Sequence, residues 1–440
     1  MRTPRHRMPA ESFLAVARGG GGSTTIDRLL AARHSRNLLS LRAVVDLAVR
    51  QRHPDAAPAL HAWQQLGVLR AAHPAAARRI LLYPTVGVWL ADTFAALRST
   101  DPARARPAAL AQIAAAVAMA AGASVRVEFP TRSSMPGRLA LPALGHVLLP
   151  PATSAIRLEV AAGAVTVDDG PTDGTSWSSL PRLHAGGGLD VRLDQLWSLV
   201  DPALAGPVSR AETTALHTSL AAAWRVLTTN HRRHARALAA AITMIMPVPA
   251  RSPTTDDTDG LVSGTHPDGA GCVALSAGGD PPSVAAALVH ELQHSKLAAL
   301  ADLFPLVRSG HDLRLHAPWR PDPRPLPALV QGLYAHAGVL GFWYRQWHRE
   351  PHSPGVLHAQ VEFGRLRSAC RRTAEALLAT DGLTVHGRLL VTEIRRAVAH
   401  WQRVPVPRTA LAIARRAGER PGPGGRPPES RTGDPVPVSP

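Results

Sequence analysis

The stretch "CVALSAGGDPPSVAAALVHELQHSKLAAL" (residues 272–300) decides the fold, because it predicts a strand, a turn and a helix in that order. Its first six residues form an apolar run that is typical of a buried strand. The glycines, aspartate and prolines that follow would end this strand. Asp280 or Ser283 can then cap the next helix, which we predict over residues 283–303.

This predicted helix carries two histidines and a glutamate in the pattern His290–Glu291–x–x–His294. Residues four apart lie on one face of a helix, so both imidazoles can reach one metal ion with Glu291 beside them. The alternative is a surface turn with two solvated histidines, but the flanking residues are apolar. Zinc peptidases place such a helix after a strand and a turn. The pattern therefore predicts a metal site on a zincin-like helix that follows a short strand.

A third protein ligand is required, and the sequence narrows the choice. The peptidase pattern HExxHxxGxxH is excluded, because positions 297 and 300 are both leucine. No glutamate lies between Glu291 and Glu350, so a glutamate on the next helix is not available either. We favour His336, in a helix-like stretch over 326–347, although it could also be a hydrogen-bonded histidine inside a helix pair. The remaining candidates are His316, Asp302, Asp312 and Asp322.

The ligands alone do not identify the reaction. With zinc, an open position holds water and Glu291 acts as general base for hydrolysis. With Fe(II), three protein ligands leave positions for a bidentate co-substrate and dioxygen. The segment "HAPWRPDPRPL" (316–326) places Arg320 and Arg324 between the ligand-bearing segments, where a guanidinium fork could clamp the carboxylate of a 2-oxo acid. Alternatively, these arginines cap helix ends or pair with Asp322.

Composition limits the class of protein. The chain has 440 residues, of which 45% are hydrophobic and 18% charged, as in globular proteins. Its two cysteines are far apart, which excludes a cysteine zinc cluster and suits a reducing cytoplasm. The formal charge of +17 would indicate nucleic acid, but the arginines are spread along the chain, so we expect no nucleic-acid partner. The alanine-rich stretch 108–125 predicts a buried helix rather than a membrane span.

The fold class that we predict is mainly α with a smaller β region (α+β). Periodicity changes along the chain divide it into five parts. These are a flexible N-terminus (1–23), a helical region (24–120), a strand-rich middle (121–205), a metal-binding catalytic region (206–417) and a disordered Pro/Gly-rich tail (418–440). Within them we predict a hairpin turning at Ala162–Gly163, and a helical pattern over 209–243 that ends in the apolar "AITMIMPV".

Three stretches resemble one protein family: "LLAARHSRNLLSLRAVV" (29–45), "VHELQHSKLAAL" (289–300) and "APWRPDPRPLPALVQGLYAHAGVLGFW" (317–343). They are similar to the actinobacterial HExxH-motif proteins found with ribosomally made peptide (RiPP) natural products. That family includes Fe(II)/2-oxoglutarate-dependent dioxygenases that act as peptide β-hydroxylases. The resemblance covers most of the chain, except the first twenty residues and the tail, and is strongest over 287–345.

The resemblance implies iron ligands at His290 and His294, with a third ligand at His336 or at the position that Gln331 occupies in this chain. It also implies that Arg320 or Arg324 contacts 2-oxoglutarate, and that Glu291 orients a ligand or the substrate. The substrate would be a precursor peptide, hydroxylated in the cytoplasm on a side-chain β-carbon. Two rival hypotheses stay open: a zinc metallopeptidase that trims a peptide, and a non-catalytic helical interaction protein.

Overall fold

The computed structural model describes residues 6–130, 138–148, 155–161, 164–168, 177–186, 188–195, 208–250, 261–320 and 322–419. Most of these residues are helical and a smaller share lies in sheets, which confirms the mainly α prediction. The predicted tail lies outside the described residues from residue 420 onward.

Helices make up most of the described chain. In chain order they are α1 (Ala10–Ala17), α2 (Ser23–Arg50), α3 (Ala56–Ala72), α4 (Pro74–Leu81), α5 (Pro84–Leu97), α6 (Leu110–Ala121), α7 (Arg210–Asn230), α8 (Arg232–Ala241), α9 (Pro281–Ala301), α10 (Leu326–Arg349), α11 (Val356–Leu378), α12 (Val385–Gln402) and α13 (Arg408–Glu419). The predicted helical region therefore corresponds to α2 to α6.

The strands among the described residues form four sheets. In chain order they are β1 (Val125–Pro130), β2 (Arg138–Leu141), β3 (Gly145–Leu148), β4 (Ala155–Ala161), β5 (Ala164–Asp168), β6 (Trp177–Ser179), β7 (Arg182–Ala185), β8 (Leu189–Leu193), β9 (Met244–Val248), β10 (Ser263–Gly264), β11 (Cys272–Ser276), β12 (Arg314–Leu315) and β13 (Arg324–Pro325). The sheets have the orders β1-β4-β5, β2-β3-β6, β10-β11-β9-β8-β7 and β12-β13. Ala161 pairs with Ala164 across β4 and β5, as the predicted hairpin requires, while the turn at Ala162–Gly163 lies outside the described residues.

The five-stranded sheet separates two hydrophobic cores. Along β9 and β11, alternate side chains enter opposite cores: Ile245 and Val273 join the core that contains α7 to α12, whereas Met244 and Cys272 join the core of α2 to α6. Successive residues of a strand point to opposite faces of its sheet. A strand covered on both faces therefore reads as a continuous apolar run.

This double burial explains one wrong prediction. We expected "AITMIMPV" to end a helix, but α8 ends at Ala241 and Met244–Val248 forms the parallel strand β9 beside β11. All five residues of β9 are buried. A short run in which every residue is apolar shows neither the alternation of a half-buried strand nor the 3.6-residue period of an amphipathic helix. Its sequence therefore does not distinguish a buried strand from the end of a helix.

The helix that carries the motif begins close to its predicted position. The Asp280 carboxylate accepts a hydrogen bond from the backbone N–H of Ser283 at 3.0 Å, so Asp280 is the N-cap of α9. Pro281 and Pro282 occupy the first turn, where a backbone N–H has no helical partner to lose. The strand β11 precedes this helix, so the predicted strand–turn–helix order is confirmed.

The segment predicted to be a flexible N-terminus contains helix α1. Phe13 and Val16 of this helix are buried in the core that contains α9 and α10. The C-terminal end of α1 is fixed by donors from both of these helices. Tyr334 donates its hydroxyl to the Val16 carbonyl at 2.8 Å, and the Lys296 ammonium donates to the carbonyls of Gly19 and Gly20. Helix α1 therefore packs with the region that we predicted to be catalytic, because polar groups of α9 and α10 hold it there.

Removing the Tyr334 hydroxyl should weaken this attachment. In Tyr334→Phe the Val16 carbonyl keeps the backbone N–H of Gly19 as a donor but loses the tyrosine hydroxyl, and the loss of one such hydrogen bond costs about 0.5–1.5 kcal/mol of unfolding free energy. Urea unfolding measures the loss, and Tyr344→Phe, on a half-buried tyrosine of the same helix, is the matched control. Equal stability of the two variants would show that α1 is not held by this bond.

The combined length and hydropathy of each described helix differs from that of a membrane span. No single helix among them combines the length and hydropathy that crossing a membrane needs, and one bent pair, α4 with α5, meets the requirement only jointly. Helix α6 covers the alanine-rich stretch and has its first nine residues buried, which confirms the predicted buried helix.

Candidate metal centre

The helices α9 and α10 bring the three predicted histidine ligands together. His290 and His294 lie one turn apart on α9, with their Nε2 atoms 3.0 Å apart. His336 projects from α10, and its ring centroid is 4.9 Å from that of His290. All three residues are half-buried. The packing of α10 on α9 thus brings His336 to the motif, although it lies far along the chain from His294.

The distance between the two Nε2 atoms fits two ligands of one ion. Histidine nitrogens bind zinc at about 2.0–2.1 Å, so two of them at a right angle would be about 3.0 Å apart, and about 3.4 Å at a tetrahedral angle. Without a metal, the same 3.0 Å is a hydrogen bond in which one Nε2 donates to the other. In both cases the two nitrogens face a single point.

The imidazoles are neutral at physiological pH. Burial lowers the pKa of His290 and of His294 below its ordinary value, and it lowers the pKa of His336 to about 3. The charges of Arg365 and of a neighbouring imidazole lower the pKa of His336 further. A metal ion needs the neutral form of histidine, because only an unprotonated nitrogen has a lone pair to donate.

Gln331 of α10 orients one of the predicted ligands, His294. Its Oε1 lies 3.1 Å from Nδ1 of His294, so this nitrogen carries the proton and donates it to the amide oxygen. Nε2 of His294 then keeps its lone pair toward His290. Metal-binding histidines are regularly oriented by such a hydrogen bond on the second ring nitrogen. Gln331 therefore acts on the candidate site indirectly, by fixing the orientation of the His294 ring.

His336 is held differently from the other two histidines. The ring of Trp319 packs against it at 4.3 Å, and Trp319 in turn lies against Gly332, where a β-carbon would be 2.9 Å from the indole. Within the described residues, no three or more His, Cys, Asp or Glu side chains are arranged so that they could hold a metal ion. His290 and His294 thus form a convergent pair, and His336 as third ligand stays a prediction.

Glu291 is buried beside this pair but faces the sheet. Its Oε1 accepts a hydrogen bond from the Ser263 hydroxyl of β10 at 2.8 Å, whereas its Oε2 is buried without a hydrogen-bond partner among the described residues. Burial raises the pKa of Glu291 to about 7, and the bond from Ser263 opposes this shift. The carboxyl group can therefore change its protonation state near neutral pH, as a group that moves a proton must.

The two arginines that we predicted to contact a co-substrate share an ion-pair network with one aspartate in this structure. Arg320 and Arg324 both pair with Asp322, at 2.9 and 3.1 Å, which was the alternative interpretation of the sequence. This small network is largely exposed, and hydrogen bonds from both arginines lower the pKa of Asp322 to about 2. Their role as contacts to 2-oxoglutarate stays a prediction.

The other candidate ligands lie in different surroundings. Asp302 pairs with the buried Arg33 at 3.1 Å, and Asp312 and His316 are exposed. Ser263 and Trp319, which contact the site, were not singled out from the sequence. A strand of two residues and a tryptophan in a connecting segment carry no periodic signal, so only the tertiary structure reveals them.

Gln331→Leu should weaken metal binding without unfolding the protein. Leucine has nearly the same size but cannot accept the proton of His294, so the imidazole loses its orientation. Loss of such a partner reduces metal affinity about 10–100-fold. Competition of the protein with a chromophoric chelator for Co(II) measures the effect, and Gln331→Glu, which keeps an acceptor, should retain tight binding. Unchanged affinity in Gln331→Leu would contradict this role.

Comparison with known proteins gives no family for this chain. No protein-family model matches it, and no curated protein matches it either.

Proposed function

We propose that this protein is a non-haem Fe(II)/2-oxoglutarate-dependent oxygenase that hydroxylates a side-chain β-carbon of a ribosomally made precursor peptide. The observation that carries the proposal is the pair of neutral, convergent imidazoles of His290 and His294, with His336 beside them and the Glu291 carboxylate turned toward the sheet instead. Three neutral ligands leave the full +2 charge of the ion to be balanced by a dianionic co-substrate.

In this proposal, residues of the chain would hold the metal ion, orient one of its ligands and limit the access of water. His290 and His294 would hold Fe(II), with His336 as the predicted third ligand. Gln331 fixes the ring of His294, and the surrounding apolar side chains limit the access of water. When bound, the ion and its co-substrate supply the oxidising chemistry: 2-oxoglutarate and O₂ become succinate and CO₂ while one oxygen atom enters a C–H bond of the peptide.

The fold around α9 supports a zincin-like scaffold as part of this proposal. The buried strand β11, the turn and the helix α9 follow the order of zincin-like metalloenzymes. The short strand β10 lies antiparallel to β11 at the edge of the sheet and holds Glu291 through Ser263. We propose that this arrangement is a zincin-like scaffold, and that the protein acts in the cytoplasm, where its two free, buried cysteines stay reduced.

A zinc-dependent peptidase is the second candidate, and Glu291 favours it. Its carboxyl group is buried next to the imidazole pair, has one oxygen without a partner in the described part of the chain, and has a pKa raised to about 7. A general base for a zinc-bound water would have these properties. In the oxygenase, the same glutamate would hold the sheet against α9 through Ser263.

Uncoupled turnover separates the two candidates without a known peptide. The Fe(II)-loaded protein should convert 2-oxoglutarate to succinate slowly and only in the presence of O₂, and His294→Ala should abolish this conversion. Succinate is measured by chromatography, with the zinc-loaded protein as control. Peptide hydrolysis by the zinc form, lost in Glu291→Gln, together with an absence of succinate, would support the peptidase.

A further inference from the structure

A small cavity lies where the start of α9, the end of α10 and the start of α11 meet. Its volume is about 50 Å³, several times the space that one water molecule needs. The side chains in its wall that matter here are Asp280, Trp343, Gln346, Trp347, Glu350 and His358. Trp343 lies about two turns beyond His336 on α10, so the cavity is about 10 Å along this helix from the candidate metal centre.

Two tryptophan rings form the apolar part of this wall. Trp343 and Trp347 lie one turn apart on α10, so both project from the same face of the helix. Aromatic contacts with α11 hold them in place. The rings of Trp343 and His358 are 5.0 Å apart and nearly perpendicular, and Trp347 lies 6.0 Å from Phe363. The face of an indole ring carries negative charge density, so it attracts cations.

Two carboxylates in the same wall have no cation as a partner. Oε1 of Glu350 accepts a hydrogen bond from the Asn230 amide at 2.7 Å, and the Asp280 carboxylate accepts bonds from Ser283 at the start of α9. Neither carboxylate forms an ion pair with any residue that the structure describes, although the chain has 49 lysines and arginines against 32 acidic residues. No described arginine or lysine lines the cavity. Its charge therefore suits a cation.

A buried amide adds a hydrogen-bond donor to the cavity. Gln346 is 4% exposed, and its Oε1 lies 2.9 Å from Nε2 of His231 and 3.4 Å from the Asn230 amide nitrogen. Its own amide nitrogen has no acceptor within the described part of the chain. An incoming carbonyl oxygen would satisfy this donor. A peptide carries such carbonyls beside its side chains, whereas a simple amine or an inorganic cation does not.

We propose that this cavity binds the guanidinium group of an arginine side chain in a peptide partner. A guanidinium is flat and stacks on indole rings, and its fork of donors matches the two carboxylates. The ammonium of lysine is a compact, strongly hydrated charge without this fork, so it would bind more weakly. The Gln346 amide would donate to a backbone carbonyl of the same peptide. The site is separate from the candidate metal centre, so it would serve an enzyme and a non-catalytic interaction protein equally.

Titration with a short capped peptide tests the site. The probe is acetyl-Gly-Arg-Gly-amide, and its control carries citrulline, which has nearly the shape of arginine without the charge. The indole N–H resonances of the isotope-labelled protein report binding, and Trp343→Phe and Trp347→Phe assign the two signals of the cavity. With the arginine peptide, these two signals should shift and saturate while the other indole signals stay in place. The citrulline peptide should leave all of them unchanged.

Conservative variants test the role of the carboxylates. Glu350→Gln removes the charge and keeps an acceptor for Asn230, and it should raise the half-saturating concentration of the arginine peptide at least about tenfold. Asp280→Asn keeps the helix cap and should also weaken binding. The matched control is Glu375→Gln, on an exposed carboxylate of α11 paired with Arg371, which should bind like the wild type.

Three results would overturn the proposal. The first is a wild-type protein whose two cavity signals do not shift with the arginine peptide. The second is equal binding of the citrulline peptide, which would mean that shape and apolar contact, not charge, are recognised. The third is unchanged binding in both Glu350→Gln and Asp280→Asn.

Discussion

Replacing His290 with alanine is expected to abolish binding of a divalent metal ion to this protein. The Nε2 atoms of His290 and His294 lie 3.0 Å apart and face one point, so each supplies half of the convergent pair. Because loss of an outer hydrogen-bond partner already costs about 10–100-fold in metal affinity, loss of a ligand should cost more than about 100-fold. Competition with a chromophoric chelator for Co(II) measures the affinity and the stoichiometry.

The control for this variant replaces a histidine that lies on the surface, away from the motif. His352 lies exposed in the connection between α10 and α11, and His352→Ala should bind one Co(II) per chain with the affinity of the wild type. If His290→Ala also kept one tightly bound ion, the HExxH pattern would be accidental. The non-catalytic hypothesis would then account for the chain better than either enzyme.

The second large effect is expected from Glu291→Gln, which should stabilise the metal-free protein at about pH 8. Burial raises the pKa of this carboxyl group from 4.5 to about 7, and one of its oxygens has no hydrogen-bond partner among the described residues. A shift of this size corresponds to about 3 kcal/mol of unfolding free energy at about 1.36 kcal/mol per pKa unit. The amide resembles the protonated carboxyl group and can still accept the bond from Ser263.

The stability that Glu291→Gln gains over the wild type should increase as the pH rises. The folded protein binds the proton of Glu291 more tightly than the unfolded chain, so this group's contribution to stability is complete below its ordinary pKa of 4.5. It is lost as the pH rises to about 7. Wild type and Glu291→Gln should therefore be equally stable near pH 4.5 and differ most above about pH 7.

Urea unfolding at several pH values measures this difference. The matched control is Glu375→Gln, which removes an exposed carboxylate paired with Arg371 and should change stability by less than about 1 kcal/mol. Destabilisation of Glu291→Gln at high pH would contradict the account, because it would mean that the ionised carboxylate is well paired. A stabilising substitution inside the motif would show that Glu291 is kept for function rather than for folding.

Local sequence signals predicted the elements that position the site. Asp280 and the two prolines mark the start of α9, apolar flanks mark its burial, and the four-residue spacing places both imidazoles on one face. The alternation of apolar and polar residues also predicted the hairpin in which β4 pairs with β5. These features depend on neighbours within a few residues, so the sequence alone is enough to predict them.

Features that depend on tertiary packing could not be predicted. The strand β9 is apolar on both faces because it lies between two cores, and α1 is fixed by Lys296 and Tyr334 from distant positions. Arg320 and Arg324 are suitable for binding a carboxylate by residue type, but Asp322 lies within reach of both.

Anaerobic addition of 2-oxoglutarate to the Fe(II)-loaded protein tests the central claim most directly, because it needs no peptide. A visible charge-transfer band should grow and saturate at one co-substrate per chain in the wild type, and it should be absent in His290→Ala. A wild-type protein that shows no band, and instead holds one tightly bound zinc ion, would contradict the oxygenase and favour the peptidase.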